Sequence, residues 1–281
     1  MMITPTNRRS LIRIGIGIGT MLGTRSARAD LADVKSRGIL QIGTSGKFPP
    51  YSGIAPNGDS IGFDIDYLSA IARKLGVTAR VATLDSSGVF PGLLARRFDT
   101  ACAAFVMTED RLKAVDFTRP YMFGATVMLV RKSDALFKSY ADLKGRRIGV
   151  ILGSVDERRL RTSVQGWGEL KTYPGWSEQW TDLLAGRVDG LSTQYAVAMA
   201  SMKHERDASE VTIAGDPVFK SVLGFPVRKT DTALRDAMSA AIVELESDGL
   251  TQELSRKWLG FEVTPQQIHD VWASQNYLGR S

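Results

Sequence analysis

The chain has 281 residues, with 36 lysines and arginines against 30 acids, two histidines and one cysteine, for a formal charge of +6. The excess sits at the N-terminus: residues 1–29 hold five arginines and no acid, so the remainder carries 31 basic and 30 acidic side chains, about +1. A nearly neutral body with no basic stripe between aromatics is not built for nucleic acid, and a lone Cys102 excludes an internal disulfide.

The first segment reads as a leader rather than as fold. Paired arginines in "NRRSLIR", Asn7 to Arg13, precede a short apolar run, Ile14 to Leu22, and "ARA" then precedes Asp30. Basic region, apolar region and small-x-small site together predict a removable export signal over Met1–Ala29. The order Arg8, Arg9, Ser10, Leu11 resembles a twin-arginine leader, and cleavage near Ala29 would place the mature chain in the periplasm. The apolar run is too short and too rich in glycine to span a bilayer.

From Gly38 onward strand and helix alternate. "ILQIGTSG" reads as a strand ending in a loop. In "GFDIDYLSAIARKLG" Asp64 is expected to cap a helix whose apolar residues Ile65, Leu68, Ile71, Ala72 and Leu75 share one face. "TARVATL" is the next strand, "VFPGLLARRF" a short helix and "DTACAAFV" a further strand, and Cys102 among such neighbours reads as core. The pattern restarts at "RRIGVILGS" and continues through "WTDLLAGRVDGLSTQ" and "AVAMASMKH", where Trp176 and Trp180 read as one packing face.

Two extended runs, Tyr121 to Lys132 and Lys220 to Lys229, are placed to cross between the two sets. The expected fold is therefore α/β and two-lobed, each lobe a mostly parallel sheet flanked by helices, with two crossing hinge strands. The expected boundaries are residues 30–124 plus 223–260 for a discontinuous first lobe, 125–222 for the second and 261–281 for a C-terminal tail, its helix beginning at Thr264.

The stretch "DTACAAFVMTEDRLKAVDFTRPY", Asp99 to Tyr121, turns from apolar to charged at Thr108 to Arg111. An arginine there either closes a surface turn, paired with Asp110 or Asp116, or grips an anion at a cleft. With "IGTSGKFPPYS", "GFDIDYLSAIARKLG", "DLKGRRIGVILGS" and "LLAGRVDG" in order, this stretch resembles the family 3 solute-binding proteins. Those receptors deliver amino acids and related polar solutes to ABC importers of the inner membrane.

The resemblance implies two lobes closing on a ligand, with Arg111 forking onto its carboxylate and Thr108 beside it; planar paired donors on a charge that does not titrate suit that task. It places the backbone amides of Gly153, Ser154 and Val155 at a helix start facing the same anion. Phe48 would pack on the body of the ligand, with Tyr51 and Ser52 behind it, and Ser86 and Phe105 at pocket positions, though Phe105 reads more readily as core.

Departures from the family pattern bear on the ammonium group of an amino acid. The strand before the turn offers Ala103, Ala104, Phe105 and Val106 instead of hydroxyls; Ser45 and Gln194 stand where acids are expected. An ammonium left without a partner loses several kcal/mol, so the expected ligand is an amino acid or related small carboxylate whose anionic group is held, its free α-amino group having only backbone carbonyls and Gln194 in place of the family's usual partners. An enzyme on the same scaffold, of the cyclohexadienyl dehydratase kind, needs a general acid in the cleft, and Gln194 is not one. A sensor or accessory protein remains the other alternative. No metal-ligand spacing and no phosphate loop occur, so no cofactor and no metal are expected, and a monomer is.

Overall fold

Both sets of alternating elements form a sheet in the computed structural model, which describes residues 1, 31–134, 142, 144–163 and 166–275. Apart from residue 1, the expected leader lies outside them. The first set comprises α1 (Leu31–Arg37), β1 (Ile39–Thr44), a small hairpin of β2 (Gly53–Ile54) and β3 (Ser60–Ile61), α2 (Phe63–Lys74), β4 (Thr78–Thr83), α3 (Ser86–Leu94) and β5 (Thr100–Ala101). Strands β4, β1 and β5 pair in that order, all parallel.

Helix α2 begins one residue before the expected cap. Gly62 occupies the N-cap at φ 136°, where an added Cβ would meet the Tyr51 carbonyl at 2.3 Å, so only glycine fits. Asp64 is therefore not a cap. It lies in the first turn on the buried face and is fully enclosed. Its carboxylate accepts the Ala104 N–H at 2.8 Å and the Tyr121 hydroxyl at 2.7 Å. That tie shortens β5. The expected strand Asp99–Val106 stops at Ala101, because Ala104, held by Asp64, adopts φ 51°, a left-handed conformation that side chains disfavour.

The chain then runs through α4 (Glu109–Ala114) and β6 (Val115–Phe117) into the long β7 (Met122–Arg131). Beyond it come β8 (Arg147–Ile151), α5 (Val155–Ser163), β9 (Glu169–Tyr173), α6 (Trp176–Leu184), β10 (Gly190–Gln194), α7 (Tyr195–His204) and β11 (Val211–Leu223). The second sheet has the order β11-β7-β10-β8-β9. Its β10, β8 and β9 are parallel, whereas β7 and β11 join antiparallel because they are the two crossings, running side by side from Met122 opposite Leu223 to Arg131 opposite Val211. Trp176 and Trp180, 6.1 Å apart, are buried on α6.

After β11 the chain returns toward the first sheet. β12 (Pro226–Arg228) pairs with β6, and Phe225 stacks on Tyr121 at 3.9 Å. Helices α8 (Thr232–Ser247) and α9 (Leu250–Leu259) then pack on α2, where Tyr67 and Thr251 share a buried hydrogen bond of 3.1 Å. A last helix, α10 (Pro265–Ala273), starts behind Thr264. Thr264 and Gln267 cap it reciprocally, and it lies against β7 and β11, with Val271 and Trp272 on the small core beneath Val222. Among the described residues no helix is long and apolar enough to cross a membrane.

Candidate functional site

The ends of both sheets face one cleft, which receives residues from each. On the first wall the turn after β5 decides the geometry. Thr108 is the N-cap of α4: its side chain accepts the Arg111 N–H at 3.3 Å, and it does not line the cleft. Its role is to start the helix that carries Arg111. The Arg111 side chain folds back, donating from Nη1 to the Val106 carbonyl at 2.9 Å. Its guanidinium carbon rests 5.7 Å from the Phe90 ring centre and 5.3 Å from that of Phe105.

Among the described residues no carboxylate lies within 4.0 Å of that guanidinium, so the surface pairs with Asp110 or Asp116 do not form. Asp110 instead bonds Lys113 and Arg158, and Asp116 bonds Arg235. Burial draws the Arg111 pKa down to about 10, with repulsion from Arg158 adding and attraction from Asp156 opposing. At neutral pH it remains a cation whose spare donors face the cleft. Phe105, read as core, is half-buried and lines the cleft.

On the second wall the expected cluster of free amides is partly occupied by the protein itself. The Gly153 N–H donates to the Glu157 carboxylate at 2.6 Å and the Ser154 N–H to the Ile151 carbonyl at 3.1 Å. Ser154 Oγ accepts the Glu157 N–H at 3.0 Å, capping α5. Of the three amides only that of Val155 has no such bond among the described residues.

The charged groups of this wall are side chains that the sequence reading did not single out. Asp156 and Arg159, one turn apart on α5, both line the cleft. Thr126 on β7 ties them: its hydroxyl donates to Asp156 Oδ1 at 2.7 Å and receives Arg159 Nη1 at 3.4 Å. Burial raises the Asp156 pKa, opposed by the Thr126 bond and by the charges of Arg159 and Arg111. The expectation of a cleft without an acid is thus corrected. The carboxylate comes from the helix start, not from the strand end where Gln194 stands.

Gln194 is buried beside Thr126, its neighbour in the β10–β7 register. Its Nε2 donates across the cleft to the Ala104 carbonyl at 3.3 Å. That acceptor fixes the orientation of the amide, and Oε1 is left buried without a partner among the described residues. Gly124 makes room for it, since a Cβ there would lie 3.1 Å from Oε1. The lobes also touch where Ser86 Oγ donates to the Pro174 carbonyl at 3.0 Å and where Arg158 meets Asp110 at 2.5 Å. Ser45 and Phe48 line the first wall, Phe48 stacked on Tyr51 at 6.1 Å. Cys102 is buried in the core, and among the described residues no group of three metal-ligating side chains occurs.

Two lobes joined by paired crossings, with a charged cleft between them, make a scaffold for enclosing a small solute. The description "Bacterial extracellular solute-binding proteins, family 3" matches residues 40–261, and the chain belongs to that family. It is 33% identical over 235 residues to the L-cystine-binding protein TcyJ of Escherichia coli (strain K12), covering 83% of this chain and 87% of that one. An ancestral arginine-binding protein bound to arginine superposes with a TM-score of 0.74 at 37% identity, over 79% of this chain and 98% of that one. An ancestral amino acid-binding protein described as a precursor of cyclohexadienyl dehydratase gives 0.76 at 30% identity, over 82% and 99%.

Proposed function

We propose that this protein is the periplasmic receptor of an ABC importer for an α-amino acid, a monomer exported with residues 1–29 as its leader. The lobes are residues 30–124 with 223–260, and 125–222; residues 261–281 form a tail, whose helix α10 lies against the two crossings. The observation that carries this reading is Arg111. A guanidinium between two rings, with one backbone bond and no carboxylate within 4.0 Å among the described residues, is a prepared seat for the carboxylate of a ligand. Val155, at the start of α5, lines the same space from the other wall.

The ammonium group has acceptors after all. Gln194 Oε1 has no partner among the described residues and Asp156 supplies a charge, so an α-amino acid fits better than its deaminated counterpart. Phe48 and Phe105 pack on the side chain, while Ser45 and Ser86 lie near the rim. The amino acids that the named relatives bind agree with that class.

Titration calorimetry of residues 30–281 with amino acids and the matching keto and hydroxy acids tests the proposal. Binding of at least one amino acid, lost in Arg111→Ala, is expected. Binding of only amine-free acids, or unchanged affinity in the variant, would overturn it. Asp156 also favours one second reading, since a half-buried carboxyl with a raised pKa can protonate a leaving hydroxyl. Its pairing with the Thr126 hydroxyl argues for a holding role. Formation of aromatic absorbance from a cyclohexadienyl acid would decide for the enzyme.

A further inference from the structure

Helix α5 carries three arginines that behave differently. Arg158 pairs with Asp110 at 2.5 Å and Arg161 with Glu157 at 3.0 Å. Arg159, between them in sequence, turns into the cleft and has no carboxylate within 4.0 Å among the described residues, although Asp156 is one turn away. A guanidinium partly withdrawn from water is costly unless its donors are met.

Arg159 is built as Arg111 is. Its guanidinium carbon lies 4.8 Å from the centre of the Phe219 ring, as that of Arg111 lies over Phe90 and Phe105, and among the described residues a single oxygen tethers it, Thr126 Oγ1 in place of the Val106 carbonyl. The chain distorts to supply that ring. Between Ala214 and Ser221 the register of β11 against β7 slips twice, and Phe219 adopts φ 51°, left-handed for a residue with a bulky side chain. Asp156 stands close enough to both guanidinium groups for each to act on its carboxyl. Lys47 also lines the cleft but is half-exposed and pairs with Asp85 at 3.7 Å. That leaves Arg111 and Arg159 around Asp156, a balance of +1 that a single zwitterion leaves uncompensated.

We propose that the ligand is an α-amino acid bearing a second carboxylate, the first carboxylate held by Arg111 and the second by Arg159. This rests on the amino-acid reading above and narrows it. A planar fork on an aromatic face presents two parallel donors in a fixed plane, the arrangement a second carboxylate needs. Two carboxylates and one ammonium balance the two arginines and Asp156. L-cystine, which names the ligand of one relative, also carries two carboxylates, but its second ammonium makes it neutral, so the charge balance favours a ligand with one ammonium.

The test uses pairs that differ by that group: L-glutamate with L-glutamine, meso-diaminopimelate with L-lysine, and L-cystine with S-(2-aminoethylthio)-L-cysteine. Each is titrated calorimetrically into the mature wild type, Arg159→Gln and Arg159→Lys. In at least one pair the wild type should favour the two-carboxylate member tenfold or more. Arg159→Gln should bring that ratio near one and Arg159→Lys should restore part of it. A wild-type ratio within twofold in every pair, or a ratio that survives in Arg159→Gln, overturns the proposal. Equal loss of both members in Arg159→Gln also overturns it, because the residue would then support the wall and not the second carboxylate. Wild-type binding confined to amino acids with one carboxylate sinks this inference and spares the amino-acid reading, whereas no binding of any amino acid sinks both.

Discussion

The two walls of the cleft differ in how their polar groups are held. On the first, Asp64 is enclosed in the core and positions the Ala104 backbone from behind, while Arg111 is wedged between Phe90 and Phe105. On the second, Asp156 and Arg159 are half-buried and tethered mainly through the Thr126 hydroxyl, and Gln194 keeps one acceptor unspent. A wall set from the core fixes where a ligand sits. A wall of lightly tethered side chains fixes which ligand closes it.

The largest expected effect comes from breaking the anchored wall at its base. Burial pushes the Asp64 pKa from an ordinary 3.8 up to about 7, against the opposing bonds from Ala104 and Tyr121. The folded state then keeps this proton up to about pH 7, while the unfolded chain releases it near pH 4. Between those values the folded state binds more protons, so this group's contribution to stability declines as pH rises through the window and is full below it. The whole change is on the order of 4 kcal/mol. Asp64→Asn should remove that decline, so the gap between wild-type and variant melting temperatures should change between pH 4.5 and 7.5. Parallel curves would mean that Asp64 is not the buried ionisable base of this wall.

Arg111 comes next. Hydrogen bonds to a charged group contribute about 1.5–3 kcal/mol each, so Arg111→Ala should weaken amino-acid binding at least about a hundredfold. Arg111→Lys, which keeps charge without the fork, should lose less. The unliganded protein should melt close to wild type, since among the described residues the native partners of the Arg111 side chain are one carbonyl and two rings. A large fall in unliganded stability would blur the contrast between anchor and support.

Much of the first wall could be read from the sequence, and little of the second. The apolar spacing of α2 and the two crossings are local patterns with a single physical meaning, and Arg111 after its apolar run leaves only two, a surface pair or an anion seat. Thr108 was legible as a neighbour of Arg111 but not as its cap, because a T-x-x-R turn looks the same with its hydroxyl in the cleft or on the backbone. The run "ACAAFV" reads as strand, and only a bond from Asp64, 40 positions earlier, turns Ala104 left-handed. "DERRLRTS" reads as a solvated helix face, and nothing within it separates Arg159 from Arg158 and Arg161. The topology makes that choice by laying the start of α5 over the cleft, though the Ser154 and Glu157 spacing does signal a capped start there.

Gln194 tests whether the second wall is as selective as its loose construction implies. Gln194→Leu removes both the bond to the Ala104 carbonyl and the orphan acceptor, and should weaken α-amino acids about tenfold, in line with roughly 1–1.5 kcal/mol for neutral bonds. Amine-free analogues should lose less, since they keep only the first of those interactions. Gly124→Ala should give the same pattern in weaker form, by crowding Oε1 from 3.1 Å. Equal losses for both ligand classes would make Gln194 a latch and not a reader of the ammonium group.

The smallest effect should come from the outer rim. Arg158 and Asp110 join α5 to α4 across the cleft, yet both side chains are about half exposed, 55% each. An exposed pair gains little in water and is screened by salt. It still exists only while the lobes touch, so whatever it contributes goes to closure rather than to folding. Arg158→Ala should therefore lower ligand affinity only about twofold at low ionic strength, and the difference should vanish in high salt while the melting temperature of the unliganded protein stays put. A larger loss that salt does not reduce would mean that the rim, and not the groups inside, holds the two walls together.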